Sequence, residues 1–442
     1  MHDVLIVGAG AAGLGTAYYL RDLKLDVCVL EAAADAGGRS RTVPLAGTSA
    51  NSGAMFIYRD TKTEEIASEL GLETTPFHPE TYGIHVNGST VVAQTNENLV
   101  AGLNLDASER AELKEFIDAS LKEYAESTSN GVLRSDLAQL ADETVADRLR
   151  GLQPAVRDIV ATAIRGGAVG DPMRLSAKYA LRYFASYLAR EKNNRLFALA
   201  GMQAIPRAIM EHLPEGVVRF STRVNDVAYL PNQNAHRVSV SGPGGEETLW
   251  ARQVVLTVPA PLVPRLAKGL PAWKINALGK VGTPGSTTLN VVADIEGLPH
   301  LHNWAFITTV GMPFDAIINP VPGGTAYTSK ANLLQLTCYG NSAGFQPGFE
   351  QDEARVGEWV EAVLAVAPEL KGRIVGVHAQ TWEHCFALLE PERAAALPQL
   401  QESVGSLHFA GDYTSETAGT HGAYAEADRV ASHIRASLAA AS

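Results

Sequence analysis

The chain opens on an apolar run, Val4-Leu5-Ile6-Val7, too short for a helix and uninterrupted by polar residues. That is the pattern of a strand buried on both faces. Six small residues, Gly8-Ala9-Gly10-Ala11-Ala12-Gly13, follow at once. Leu14–Leu23 then reads as a helix, and Asp26–Glu31 as a second strand ending on an acid. Further along, Tyr82–Gln94 alternates around Asn87-Gly88, which predicts a hairpin. Ser108–Glu126 places Leu113, Phe116, Ile117, Leu121 and Tyr124 on one helical face, with charges opposite. Glu143–Leu149, Pro154–Ile164 and Ser176–Arg190 continue the helical texture, with Pro154 in the first turn that tolerates it.

Strand patterns return after Gly201 at Val217–Phe220, Thr222–Val227, Arg237–Val240 and Gln253–Val258. Pro261 and Pro264 make Pro259–Leu270 a broken connector. Thr287–Ala293, Leu333–Cys338 and Ile374–Gln380 predict further strands, and Glu353–Ala365 a helix. The last elements are a strand at Leu407–Asp412, a glycine-rich turn and a helix at Ala423–Leu438. The chain thus begins and ends on strand-turn-helix units, with a second lobe threaded between them. A ligand running across both turns accounts for that plan.

Length and charge narrow the picture. At 442 residues the chain exceeds what one core usually supports, which predicts two intertwined domains. The net charge of −12 disfavours nucleic acid and anionic membranes as partners. Cys28, Cys338 and Cys385 are scattered, without metal-ligand spacing, so no metal is expected. The first strand begins almost at Met1, and no apolar run reaches bilayer length. A cytoplasmic protein that does not enter membranes is the expectation.

The opening motif has a separate job for each part. Gly8 permits the tight turn, Gly10 lets a pyrophosphate approach the backbone, and Gly13 lets helix and strand pack closely. The helix N-terminus supplies free N–H groups for phosphates. Glu31 is placed to accept hydrogen bonds from a ribose 2′-OH. This predicts a dinucleotide site and leaves NAD and FAD both open. Gly37-Gly38-Arg39-Ser40-Arg41-Thr42 adds a close backbone approach and two cations suited to phosphate. Phe409-Ala410-Gly411-Asp412, followed by Gly419-Thr420-His421-Gly422-Ala423-Tyr424, delivers an acid for a sugar-alcohol hydroxyl. The helix start after it can stabilise negative charge.

These motifs together, with Asn51-Ser52-Gly53-Ala54-Met55-Phe56 and the HGAYAEA stretch, resemble the flavin-containing amine oxidase superfamily, which includes monoamine, polyamine and L-amino-acid oxidases and protoporphyrinogen oxidase. The resemblance is sharp at both ends of the chain and weaker through the middle. It implies FAD, bound non-covalently, in an α/β fold: a Rossmann-like FAD-binding domain with a discontinuous α+β substrate-binding domain. The FAD-binding segments would be 1–78, 201–260 and 401–442, and the substrate segments 79–200 (helical) and 261–400 (sheet). By the same resemblance, Gly8, Gly10, Ala12 and Gly13 would hold the pyrophosphate, and Glu31 and Ala32 the adenosine ribose. Gly38, Arg39 and Arg41 would lie along the phosphates and ribityl chain. Gly53, Ala54, Met55 and Phe56 would lie beside the isoalloxazine, and Val224 would meet adenine through its backbone. Gly411 and Asp412 would bind the ribityl chain, and Thr420, His421 and Ala423 the pyrimidine side of the ring. Trp382 would pack near the flavin. Trp382, Phe56 and His421 are the candidates for the reacting end of the site.

The chain also departs from the family. Asn51 or Ser52 stands where the family carries an aspartate. The strand at Ser286–Val291 has no lysine of the kind that holds a water at the flavin in many amine oxidases, and Lys280 precedes it. Gly419 and Thr420 occupy the place of an aromatic ring of the amine cage. Cys385 has no attachment context for a covalent flavin. The implied activity is oxidation of an amine or amino-acid-like substrate by hydride transfer, with O2 as acceptor. A desaturase or dehydrogenase acting on C–C or C–O bonds, and a redox-neutral flavoprotein, stay open as alternatives. Large apolar lobes are compatible with a homodimer.

Overall fold

The computed structural model describes residues 1–77, 80–129, 132–133, 143–184, 195–320 and 332–441. The opening apolar run forms the strand His2–Val7, flanked on both sides by parallel neighbours, Val27–Leu30 and Gly245–Leu256. Val4, Leu5 and Ile6 are fully buried there, which is why the run carries no polar alternation. The sheet continues outward through Ala235–Gly242 and Arg223–Leu230 on one side and Val218–Arg219 on the other. Leu407–Phe409 pairs parallel with Gly245–Leu256. The first helix, Ala11–Leu20, packs against the last, Gly419–Ala441. A side chain at Gly15 would stand 2.9 Å from both Ala427 and Tyr424, so glycine sets how closely the two helices approach.

The second sheet runs in the order Ile374–Trp382, Ser286–Asp294, Leu333–Asn341, Ala316–Ile318, Trp304–Thr309, Thr81–Val86, Ser89–Ala93. Its predicted hairpin turns at Asn87 and Gly88, both at positive φ. Leu289, Val291, Leu336 and Cys338 bury one face against Trp359 and Val363 of the helix Glu353–Val366. On the opposite face, Phe306 and Ile318 pack with Ile159, Val160 and Ile164 of Pro154–Ala168. A hairpin, Thr42–Leu45 with Thr48–Asn51, lies along the edge strand, where Gly376 meets Leu45 and Ala46.

The α/β reading holds, with differences at element ends. The opening helix starts at Ala11, three residues before the predicted Leu14, and the last at Gly419 instead of Ala423, because small residues fill both first turns. The strand expected at Gln253–Val258 is the end of the longer Gly245–Leu256, whose polar first half pairs in an exposed hairpin. The helix expected at Ser176–Arg190 is described over Ala177–Phe184, and 185–190 lies outside the described residues. Pro259–Leu270 holds a 3-10 turn at Ala260–Leu262 and a short helix at Val263–Leu266. Among the described residues, no helix is long and apolar enough to cross a membrane, and no group of three or more His, Cys, Asp or Glu is placed to hold a metal ion.

Candidate functional site

At the end of His2–Val7 the backbone turns through Gly8, whose φ of +107° suits glycine. A Cβ on Gly13 would lie 1.9 Å from the Gly8 carbonyl oxygen, so this glycine is what lets the helix sit against the turn. Gly10 differs: a Cβ there would meet nothing within 4 Å. The helix behind it has no side-chain cap, and Ala11 and Ala12 border the opening. Uncapped N–H groups at a helix start, beside open space, form a site for an anion. Glu31 is held alongside by two backbone donors, Ala9 N–H to Oε2 at 2.7 Å and Ala33 N–H to Oε1 at 2.8 Å.

Arg39 and Asp412, far apart in sequence, meet in a two-pronged ion pair. Nη1 donates to Oδ2 at 3.2 Å and Nη2 to Oδ1 at 3.1 Å. Arg39 also donates to the Cys385 carbonyl, while the Ala387 N–H donates to Asp412 Oδ2. Burial alone would raise the Asp412 pKa, but the Arg39 guanidinium, joined by the Ala387 N–H and Arg393, outweighs it and holds the carboxyl below its usual range. Behind the pair, the buried Arg393 donates to the carbonyls of Asp412 and Ser415, which anchors the turn after Phe409.

The second sheet supplies the other wall. Its register sets Ser286 between Asn341 and Trp382. Trp382 Nε1 donates to the Ser52 carbonyl at 2.7 Å and Tyr339 OH to the Gly53 carbonyl at 3.1 Å, which ties the Asn51–Phe56 stretch to the sheet. Ser286 Oγ donates to Asn341 Oδ1 at 2.6 Å, and the Asn341 N–H donates to Asp315, itself paired with Arg165 at 2.9 Å. Burial raises the Asp315 pKa, and Arg165 opposes that shift. Phe386 comes within 3.5 Å of where a Gly419 side chain would begin, and the His421 ring lies 5.2 Å from Tyr58. The Cys385 thiol, pushed up to about 11 by burial, is protonated at neutral pH. Lys280 is not at this wall: it pairs with Glu392 at the surface.

The two walls enclose one cavity of about 770 Å³ between the two sheets, within the range of small-molecule sites. Gly8, Gly10, Ala12, Glu31, Ala32, Gly38, Arg39, Gly53, Ala54, Met55, Phe56, Val224, Trp382, Gly411, Asp412, Thr420, His421 and Ala423 line it. Two of the predicted residues do not. Gly13 packs behind the turn, and Arg41 is exposed on the edge hairpin, its charge acting on His378. Tyr58, Arg265, Tyr339 and Asn341 also line the cavity and were not foreseen. Tyr339 and Asn341 left a faint trace, as polar positions closing the apolar strand Leu333–Asn341.

Comparison with known proteins agrees with this geometry. Residues 11–435 match the family described as flavin containing amine oxidoreductase. A probable flavin-containing monoamine oxidase A of Dictyostelium discoideum is 24% identical over 283 residues, 60% of this chain and 59% of that protein. A putative flavin-containing monoamine oxidase AofH of Mycobacterium tuberculosis is 43% identical over 77 residues, 17% of each chain. The matched stretches thus span less than two thirds of either relative. Among solved structures, cyclohexylamine oxidase from Brevibacterium oxydans IH-35A superposes with a TM-score of 0.77 at 19% identity, over 99% of both chains. Wild-type putrescine oxidase bound to putrescine gives 0.75 at 18% identity, over 98% of this chain and 99% of that one. With its family match spanning nearly the whole sequence, the chain belongs to the flavin-containing amine oxidoreductases.

Proposed function

We propose that this chain binds FAD without a covalent bond and oxidises the C–N bond of an amine, with O2 as the electron acceptor. One observation carries the reading: a single cavity joins the uncapped helix start at Gly10 to the aromatic wall at Trp382, Tyr339 and Phe386. Gly8, Gly10, Ala12, Glu31 and Ala32 would hold the adenosine and pyrophosphate, supplied by the segments 1–78, 201–260 and 401–442. Arg39 and Asp412 would hold the ribityl side, and Gly53 to Phe56 would border the ring. Bound FAD supplies the hydride acceptor. The chain's own task is to position a neutral amine and keep bulk water away. Met55, Phe56, Ile318 and Phe386 give the cavity an apolar lining that favours the uncharged amine. The substrate loses two electrons and two protons and becomes an imine, and O2 gains them as hydrogen peroxide.

Anaerobic addition of an accepted amine to the yellow holoprotein should bleach its flavin absorbance, and admitting air should release peroxide. Intact flavin that no amine bleaches would overturn the reading and favour a desaturase. Cofactor retention is tested separately. Gly13→Ala drives a methyl into the Gly8 carbonyl, so this variant should purify with less than about a tenth of the wild-type flavin per chain. That corresponds to a loss of at least ~1.4 kcal/mol in binding. Wild-type flavin content would show that the turn does not hold the cofactor.

A further inference from the structure

The wall carrying Ser286 and Trp382 continues away from the cavity as a ladder of side chains on one sheet face. The first rung is Trp382, Ser286 and Asn341, the second Gln380, Thr288 and Tyr339, and the third His378, Asn290 and Thr337. The fourth is Gly376, Val292 and Gln335. The edge hairpin meets this face at both ends. Leu45 and Ala46 sit over Gly376, and the Ser52 and Gly53 carbonyls are bonded to Trp382 and Tyr339. Leu45 pairs across the hairpin with Thr48, so Thr48 and Ser52 lie on the side turned to the sheet.

This seam between hairpin and sheet is polar. Thr288 and Asn290 are fully buried and Gln335 nearly so. Among the described residues, Thr288 Oγ1, Asn290 Nδ2, both amide atoms of Gln335 and His378 Nε2 are buried without a hydrogen-bond partner, and so are Thr48 Oγ1 and Ser52 Oγ opposite. Buried polar groups in native proteins are almost always paired, with protein or with ordered water. Six side chains from two facing layers, each with a buried polar atom lacking a partner although Asn290 Oδ1 accepts from Thr337, mark a ligand site. These groups offer both donors and acceptors and include no carboxylate, lysine or arginine, so the ligand they match is uncharged and both donates and accepts. Water fits, with two to four bonds per molecule.

We propose that this seam holds a chain of ordered waters that runs from Gln335 to Thr288, behind Trp382 and Ser286, and supplies the water that hydrolyses the imine product. The hydrolytic part rests on the amine-oxidising reading above. In that step the water oxygen bonds to the imine carbon and the C–N bond breaks. The water's two protons pass to the departing nitrogen, which leaves as ammonia or an amine, and the carbon becomes a carbonyl.

The test uses the holoprotein in two measurements. A high-resolution crystal structure should show at least two ordered waters bonded to Thr288, Asn290 and His378. A dry seam, or these side chains bonded to one another, would overturn the proposal whether or not amines are oxidised. Thr288→Val and Asn290→Leu, made separately so that one folded variant suffices, should leave amine consumption within about twofold of wild type. The share of product trapped as aminonitrile by cyanide added during turnover should rise severalfold, because the imine then escapes before water reaches it. An unchanged trapped share would refute delivery through the seam. Failure of the wild type to oxidise any amine would instead refute the proposed function and leave the waters to be decided by the crystal structure.

Discussion

Replacing Arg39 with methionine should destabilise the protein by ~3–5 kcal/mol at neutral pH, the range for removing one partner of a buried ion pair. Asp412 is nearly fully buried and Arg39 about one-third exposed, which places the expected loss near the lower bound. The loss comes mainly from the carboxylate left behind, which keeps the Ala387 N–H and the more distant Arg393 but loses its paired counter-charge. Two further outcomes separate this from simple loss of packing. Arg39→Met combined with Asp412→Asn should recover part of the loss, because no buried charge remains. The pH response should also change sign. In the wild type the Asp412 pKa is lowered on folding, so its contribution is present above the ordinary carboxylate pKa and is lost as pH falls through the folded value. Without Arg39, burial raises that pKa, and the variant gains relative stability as pH falls. Urea midpoints at pH 7 and pH 5 read both effects. A loss under about 1 kcal/mol in the single variant would show that the pair contributes no more than a surface one.

Mild acid should loosen the first sheet in the wild type. His236 and His408 are both 2% exposed. His236 meets Ser406, and His408 lies between Ser403 and Gln253, each at 2.8 Å. Burial pulls His236 down to about 4 and His408 down to about 3, the latter helped by the neighbouring His433. Both are therefore neutral in the folded protein at pH 5, whereas the unfolded chain takes up protons from about pH 6.5 downward. The stability these residues contribute is complete above about pH 6.5 and declines below it. At ~1.4 kcal/mol per pH unit, the loss by pH 5 is roughly 2 kcal/mol for each histidine. His408→Gln should remove about half of the pH-dependent drop in urea midpoint. Equal drops in variant and wild type would show that other groups are responsible.

The part of this site that could be read from the sequence is the part where the backbone has no alternative. Gly8 needs its positive φ and Gly13 has a carbonyl where a methyl would go, so no other residue serves and the spacing is visible. Arg39 and Asp412 could be read individually, but their pairing could not, because it depends on two turns meeting across the sheet. Of the aromatic wall, Trp382 and Phe56 were legible and Tyr339 was not. Tyr339, Asn341 and Ser286 are ordinary strand residues, and only the register between Ser286–Asp294 and Leu333–Asn341 brings them to one face. The hairpin Thr42–Leu45 with Thr48–Asn51 was missed because it holds few apolar residues and a proline, with little alternation to detect. The helix Ala204–Glu211 was missed as well: Pro206 interrupts its pattern, although a proline is acceptable within the first turn.

The packing of Ala11–Leu20 against Gly419–Ala441 sets a clock on synthesis. The apolar surface around Gly15 is made at the start, and its partners Tyr424 and Ala427 follow after roughly 400 residues of elongation. At about 5–20 residues per second that is on the order of 20–80 s. For that interval the glycine turn has no last helix beside it and no Asp412 across from Arg39. The glycine turn therefore gains its neighbouring helix, and Arg39 its partner, only once the segment after Phe409 has been made.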